Sequence, residues 1–237
     1  MKLSIIIPVL NSHEILRRQF LHFEKIGIPS DTEIIIVDDG SDPPLEYHGS
    51  LPVTIHATND KRSWTWALAR NAGARIAKGE YFLMFDVDHI ITRELLDAAR
   101  TNDYQKMHFQ RQLGVLLEDG TFTQDRDVLE TYGFPKEAGI KIGPLPNNFS
   151  MRKDIYWELG GYREDLVGLP YPQGEDSDFK KKWHRWIRAG KGDWCVVHPI
   201  IYMFPNGKFC GDVDANPFGL FHKLSRKTKL NPNYHEV

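Results

Sequence analysis

Residues 3–10, Leu-Ser-Ile-Ile-Ile-Pro-Val-Leu, form a nearly unbroken apolar run rich in β-branched side chains. It is too short for a buried helix and predicts a strand covered on both faces. From 12 to 27 the pattern changes: Ile15, Leu16, Phe20 and Phe23 return at helical spacing, with Ser12 placed to cap the start and Gly27 to end the helix. Thr32–Val37 is a second apolar run and stops on Asp38-Asp39-Gly40-Ser41; residues 51–58 give a third strand. Residues 63–79 read as a helix with a stripe of Trp64, Leu68, Ala72 and Ile76 and a stop at Gly79. Then Tyr81-Phe82-Leu83-Met84-Phe85 runs straight into Asp86-Val87-Asp88-His89.

Strand alternating with helix predicts an α/β fold: a Rossmann-like, mostly parallel sheet with helices on both faces. Ligands in such sheets lie outside the carboxyl ends of the strands, where both acidic clusters fall. Beyond residue 100 the pattern loosens. Residues 113–125 suggest a hairpin turning at Asp119-Gly120, Pro135, Pro144 and Pro146 suggest loops, and 151–161 gives a short helix with a glycine stop. A longer helix over 174–192 faces the core with Phe179, Trp183, Trp186 and Ile187.

Composition adds little that conflicts. The chain has 237 residues, 41% hydrophobic and 26% charged, with a formal net charge of −2, so its average charge does not mark it as a polyanion binder. Cys195 and Cys210 lack zinc-type spacing and form no disulfide framework. The apolar start meets Asn11 and His13 at once, unlike a secretory signal, and no stretch approaches about 20 apolar residues. The expected setting is cytoplasmic.

The chemistry concentrates at the strand ends. Side chains alternate along a strand, so Asp86 and Asp88 are expected on one side, where two hard oxygens suit Mg²⁺ or Mn²⁺ better than a merely solvated turn does. Asp38 and Asp39 carry two readings: carboxylates accepting from a nucleobase imide or ribose hydroxyls, or an Asx-type turn at Asp-Asp-Gly-Ser.

The segments Ser4–Asn11, Glu33–Asp42, Ala67–His89, Asn147–Asp165 and Gly174–Phe179 occur in this order, and together the chain resembles glycosyltransferase family 2, enzymes of GT-A fold that use nucleotide sugars. The likeness is close over the first 100 residues and extends to about residue 190. It implies a single catalytic domain: residues 1–100 as the nucleotide-sugar-binding half, 101–222 as the acceptor-binding and catalytic half, and 223–237 as a basic tail. It also implies roles. The backbone of Pro8, Val9 and Leu10, with Asn11 beside it, and the side chain of Asp39 hold the nucleobase, while Asp38 supports the turn. Arg70 approaches the nucleotide or its phosphates. Asp86 meets the ribose or the metal, and Asp88 binds the metal, Mn²⁺ or Mg²⁺, that bridges the diphosphate. Asp176 is the general base and Glu175 helps to position the acceptor or the base.

These roles can be weighed physically. At roughly 100° per residue, Arg70 lies well away from the Trp64–Leu68–Ile76 stripe, as suits either a ligand contact or a solvated arginine. Asp176 precedes Phe179 by three and Trp183 by seven, so it lies on the inward side of its helix. It is in the first turn, where the macrodipole favours its ionised form, while Glu175 and Asp178 oppose this. One base on the acceptor side implies single displacement with inversion. For a third metal ligand His222 is preferred over His198, because Lys223, Arg226 and Lys227 beside it can clamp a diphosphate. His89 is expected to point away from Asp88.

The chain departs from the family in lacking an Asn-x-Gly before the helix of Arg70. Trp66 or Trp64 could stack on a base or sugar there, although Trp64 suits the core. The donor is expected to be UDP-linked. The acceptor is a glycan, a lipid-linked sugar or another hydroxyl compound, with Tyr171 as a possible platform. Cations mixed with aromatics over 180–194 and 222–229 would also fit a nucleic-acid or other phosphorylated acceptor, but a solvated helix face plus a diphosphate clamp is the preferred reading. Two alternatives stand beside the transferase: a sugar-1-phosphate nucleotidyltransferase, disfavoured because no glycine-rich loop follows the first strand, and an inactive nucleotide- or sugar-binding module, disfavoured by the retained acidic residues.

Overall fold

The computed structural model describes residues 1–62, 65–101, 103–132, 141–142, 147–166, 174–192 and 200–203. In chain order the strands are β1 (Leu3–Val9), β2 (Thr32–Asp38), β3 (Val53–Ala57), β4 (Tyr81–Met84), β5 (His89–Ile90), β6 (Lys106–His108), β7 (Gln110–Leu113), β8 (Val115–Leu116), β9 (Phe122–Thr123), β10 (Lys141–Ile142), β11 (Phe149–Arg152) and β12 (Ile200–Met203). The α-helices are α1 (His13–Ile26), α2 (Trp66–Ile76), α3 (Arg93–Thr101), α4 (Arg126–Thr131), α5 (Lys153–Glu158) and α6 (Glu175–Arg188).

The main sheet has six strands in the order β3-β2-β1-β4-β11-β6. β1 to β4 are parallel, and β11 is inserted antiparallel to both β4 and β6. The fold is therefore α/β with a mostly parallel sheet, as expected. A four-stranded sheet, β10-β7-β12-β5, and the β8-β9 hairpin extend it. The hairpin turns at Gly120, whose φ is 79°, the left-handed conformation that glycine adopts without steric cost.

β1 shows why these runs are continuous. Leu3, Ile5, Ile7 and Val9 face one layer with Ile15, Phe20 and Phe23 of α1 and Leu95 and Leu96 of α3. Ile6 faces the other, with α2 and with Phe179 and Trp183 of α6. A strand buried on both sides carries few polar residues, and the exception in β1, Ser4, is satisfied by donating its hydroxyl to Glu33 of β2 at 2.6 Å.

Three local expectations are corrected. The inner face of α2 is made of Ala67, Arg70, Asn71 and Ala74, while Leu68, Ala72 and Ile76 pack only at its margin. Gly73 lets this helix lie directly on the sheet, since a Cβ there would stand 2.6 Å from a methyl of Ile6 and 2.9 Å from one of Val37. Periodicity therefore follows hydrophobicity to the wrong face: close helix–sheet contact requires small residues, and the large ones go to the edge. The helix also ends at Ile76, before Gly79. In α1, Ser12 occupies the N-cap position but its hydroxyl donates to Leu10 O at 2.9 Å instead of capping the helix.

Candidate active site

The acidic residues gather where β1, β2 and β4 end. Asp38 is buried and accepts three backbone N–H groups, from Gly40 (3.2 Å), Ser41 (2.8 Å) and Leu45 (3.0 Å). It holds the turn together, the structural one of its two expected readings. Asp39 is also buried and accepts the hydroxyls of Thr58 at 3.2 Å and Thr65 at 2.8 Å. Its N–H donates to Val9 O at 2.8 Å, joining the ends of β1 and β2. Asn11, at φ 51°, braces the same turn: its N–H donates to Ser41 Oγ at 3.0 Å, and its side-chain oxygen accepts Asp42 N–H at 2.8 Å. Pro8–Asn11 and the Asp38–Asp42 turn thus form one wall.

Asp86 and Asp88 do not belong to a strand. β4 ends at Met84, and a turn closed by His89 N–H donating to Asp86 O at 3.0 Å brings the two carboxylates together. The expected proximity holds, but the turn produces it and strand alternation does not. Gln19 of α1 pins this turn from beneath, its amide donating to Val87 O at 3.1 Å and His89 O at 2.5 Å. His89 corrects its expectation, because its Nδ1 lies 2.8 Å from Asp88 Oδ1. Ligating atoms of Asp86, Asp88 and His89 all lie within 4.8 Å of one another, and His89 Nε2 is buried with no hydrogen-bond partner among the described residues. Two carboxylates and an imidazole fit a divalent cation, and the imidazole suits Mn²⁺ better than Mg²⁺.

Arg70 is no solvated arginine: its side chain is fully buried and is paired with Asp86. Its guanidinium carbon lies 5.1 Å from the ring centre of Trp66 and 5.6 Å from that of Tyr162. Nε and Nη1 make no hydrogen bond among the described residues, so two buried donors remain beside the acidic turn. Asn71, next in the helix, fixes the loop opposite. Its amide donates to Tyr162 O and Glu164 Oε1, each at 2.8 Å, and its oxygen accepts Tyr156 OH at 2.6 Å and Tyr162 N–H at 3.0 Å.

α6 opens from Gly174, whose φ of 72° turns the chain into the helix. Glu175 is fully buried. Burial pushes the Asp176 carboxyl up to about 7; the Arg70 guanidinium opposes this, Asp86 raises it further, a hydrogen bond from Asn147 lowers it, and Glu175 raises it again. Asp176 Oδ1 is buried and accepts no hydrogen bond among the described residues. The structure thus brings Asp86, Asp88, Arg70 and Asp176 to one place, with the Pro8–Asn11 wall on neighbouring strands. Trp64, Tyr171, His198, His222, Lys223 and Arg226 lie outside the described residues.

Several site residues escaped sequence reading. Asn148 accepts the Asp86 N–H at 2.9 Å, and Asn147 bonds Asp176. Their position just before a strand, opposite the acidic turn, was an available signal. Arg111 on β7 feels the charges of both Asp88 and Asp86, and nothing local in the sequence marks it.

A parallel α/β sheet with acidic turns at its carboxyl rim and a carboxylate on a facing helix is the architecture of a GT-A glycosyltransferase domain. Matches to known proteins agree. The family model for glycosyl transferase family 2 matches residues 4–160, and the chain belongs to that family. An uncharacterized glycosyltransferase of Haemophilus influenzae is 28% identical over 162 residues, 65% of this chain and 52% of the relative. Among solved structures, Staphylococcus aureus TarS 1–349 superposes with a TM-score of 0.57 at 16% identity, covering 89% of this chain and 62% of that one. The mannosyltransferase PcManGT of Pyrobaculum calidifontis, in complex with GDP-Man and Mn²⁺, gives 0.53 at 16% identity, covering 86% and 57%. These similarities establish the fold, and the chain spans about half to two thirds of each relative. Among the described residues no helix is long and apolar enough to cross a membrane.

Proposed function

We propose that this domain transfers a glycosyl group from a nucleotide-diphosphate sugar, UDP-linked, to an acceptor hydroxyl with inversion at the anomeric carbon. The observation that carries the reading is Asp176: a mostly buried carboxyl pushed up to about 7, with one oxygen unengaged among the described residues, beside Arg70 and Asp86. A base of that strength is half ionised at neutral pH and can take a hydroxyl proton in the transition state. The acceptor oxygen bonds to the anomeric carbon as the bond from that carbon to the diphosphate oxygen breaks. The proton passes to Asp176, and the electron pair leaves with the nucleoside diphosphate.

Asp39 and the Pro8–Asn11 backbone hold the nucleobase in this reading. Arg70 directs its two buried, unengaged donors toward the diphosphate, while Asn147 and Glu175 orient Asp176. Asp88, Asp86 and His89 would hold Mn²⁺ or Mg²⁺, which supplies positive charge for the departing diphosphate. With His89 in the place of the third metal ligand, His222, Lys223 and Arg226 are assigned to clamp the diphosphate. Solved structures of TarS contain UDP and UDP-GlcNAc, and that of PcManGT contains GDP-Man and Mn²⁺, which supports the donor class.

Thermal unfolding with UDP-, GDP- and dTDP-sugars tests this. A UDP-sugar is expected to raise the melting temperature only when Mn²⁺ is present, and Asp88→Ala is expected to abolish the rise. No response to any nucleotide sugar, or a full response in Asp88→Ala, would overturn the assignment.

A further inference from the structure

Beyond the acidic rim, β6 and α6 enclose a cluster of basic groups. Lys106 and His108 stand two apart on β6, the edge strand of the main sheet in its described part, and so point to one side. Lys106 is 2% exposed. Its Nζ lies 4.6 Å from the ring centre of Phe149, 5.5 Å from Phe179 and 5.3 Å from Trp183, yet it makes no hydrogen bond or ion pair with any described residue. A buried ammonium held only by ring faces is incompletely compensated.

Among the described residues, the charges that act on Lys106 and His108 are all positive. Lys106 feels Lys180, and His108 feels Lys106, His184 and Lys180. No described carboxylate acts on Lys106 or His108, the nearest on α6 in sequence to Lys180 being Asp176 and Asp178, and the β11 side chains at their register positions, Phe149 and Met151, are apolar. Burial and these neighbours lower Lys106 to about 7 and His108 to about 4. Burial and mutual repulsion thus oppose protonation of these groups, and a bound anion would favour it.

The cluster is also placed to serve the reaction. Asp176, Lys180 and His184 follow at intervals of four along α6, so they run along one side of the helix. His108 pairs with Phe149, and Phe149 with Met84, which puts His108 at the same sheet end as the acidic turn. Two helical turns span roughly 11 Å.

We propose that Lys106, His108 and Lys180 form an anion subsite for the acceptor, which takes a phosphoryl or carboxylate group carried one to two helical turns from the hydroxyl that reacts at Asp176. This rests on the function proposed above and narrows its acceptor to an anionic saccharide or polyol. Nucleic acid fits less well, because Trp183 is buried and stacked on Trp186 at 5.3 Å, leaving that face closed to a base.

Inorganic phosphate is the probe, titrated into the full chain near pH 6 while the ring signals of His108 are followed by NMR. The His108 resonances are expected to shift saturably, more weakly near pH 8, because binding an anion draws protons onto Lys106 and His108. Lys180→Ala and Lys106→Met are each expected to weaken phosphate about tenfold or more, as losing a charged hydrogen bond does. Lys180 is exposed and its loss leaves the fold intact, so that variant remains informative if Lys106→Met misfolds. Asp88→Ala is expected to bind phosphate normally, which separates this subsite from the donor pocket. If only Asp176→Asn transfers normally, the catalytic reading fails while the subsite stands. No His108 shift, undiminished phosphate affinity in Lys180→Ala, or displacement of phosphate by single-stranded RNA but not by a sugar phosphate or a uronic acid would overturn the proposal.

Discussion

Asp176 stores an unfavourable charge in the folded protein, and Asp176→Asn should release it. In the unfolded chain its carboxyl titrates near 3.8; in the fold it is pushed up to about 7. Below 3.8 it is protonated in both states and contributes nothing. Between 3.8 and 7 the unfolded state loses its proton first, so wild-type stability falls with rising pH; above 7 the penalty is constant. That gap of about three pH units, at about 1.36 kcal/mol each, has a ceiling of about 4 kcal/mol, and solvent reaching a partly exposed carboxyl reduces the expected effect to about 1–3 kcal/mol. The assay is urea unfolding of both proteins at intervals from about pH 4 to pH 8, reading the difference so that other titrations cancel. The variant should match wild type near pH 4 and become more stable by that amount near pH 8. Parallel curves across the range, or a variant less stable at pH 8, would show that burial does not raise the Asp176 carboxyl.

Two further outcomes follow from the geometry. Asp86→Asn removes a negative charge that raises Asp176 and frees the Arg70 guanidinium to act on it alone, so the Asp176 carboxyl, followed by carbon NMR, should titrate below about 7; an unchanged midpoint would show that the two carboxylates do not interact. Gly73→Ala would drive a methyl into Ile6 and Val37, both fully buried, and should cost about 1–2 kcal/mol in urea unfolding despite the better helix propensity of alanine; a midpoint at or above that of wild type would show that α2 can lift from the sheet.

What the sequence revealed and what it hid have separate physical causes. Strands buried on both faces are legible because few polar residues interrupt them, which is why β1, β2 and β4 and the acidic turns after them could be located directly. The face of α2 was misread because periodicity weighs side-chain size, whereas contact with the sheet selects Ala67, Gly73 and Ala74. His89 was set aside because strand alternation was extended past Met84, where the chain had already turned. Arg111 and Lys106 carry no local signal at all. Each acquires its role from strand pairing between segments distant in the chain, and one residue's pattern does not record which strand will lie beside it.

Among the described residues, carboxylates gather at the acidic turn and basic groups gather further along α6. Near the acidic turn the fully buried Arg70 acts on both Asp86 and Asp176, while Arg111 acts on Asp86 and Asp88. Arg70 pairs directly with Asp86, and its charge only partly offsets the burial that raises the Asp176 carboxyl. Further along α6, Lys106, His108 and Lys180 act on one another, and among the described residues no ion pair joins any of the three to a carboxylate. One helix therefore carries both the raised carboxyl of Asp176 and Lys180 of the basic cluster. Under the proposed function, an acceptor that presents a hydroxyl to the first and an anion to the second would meet both, and its orientation would be set by charge before any shape of the sugar is considered.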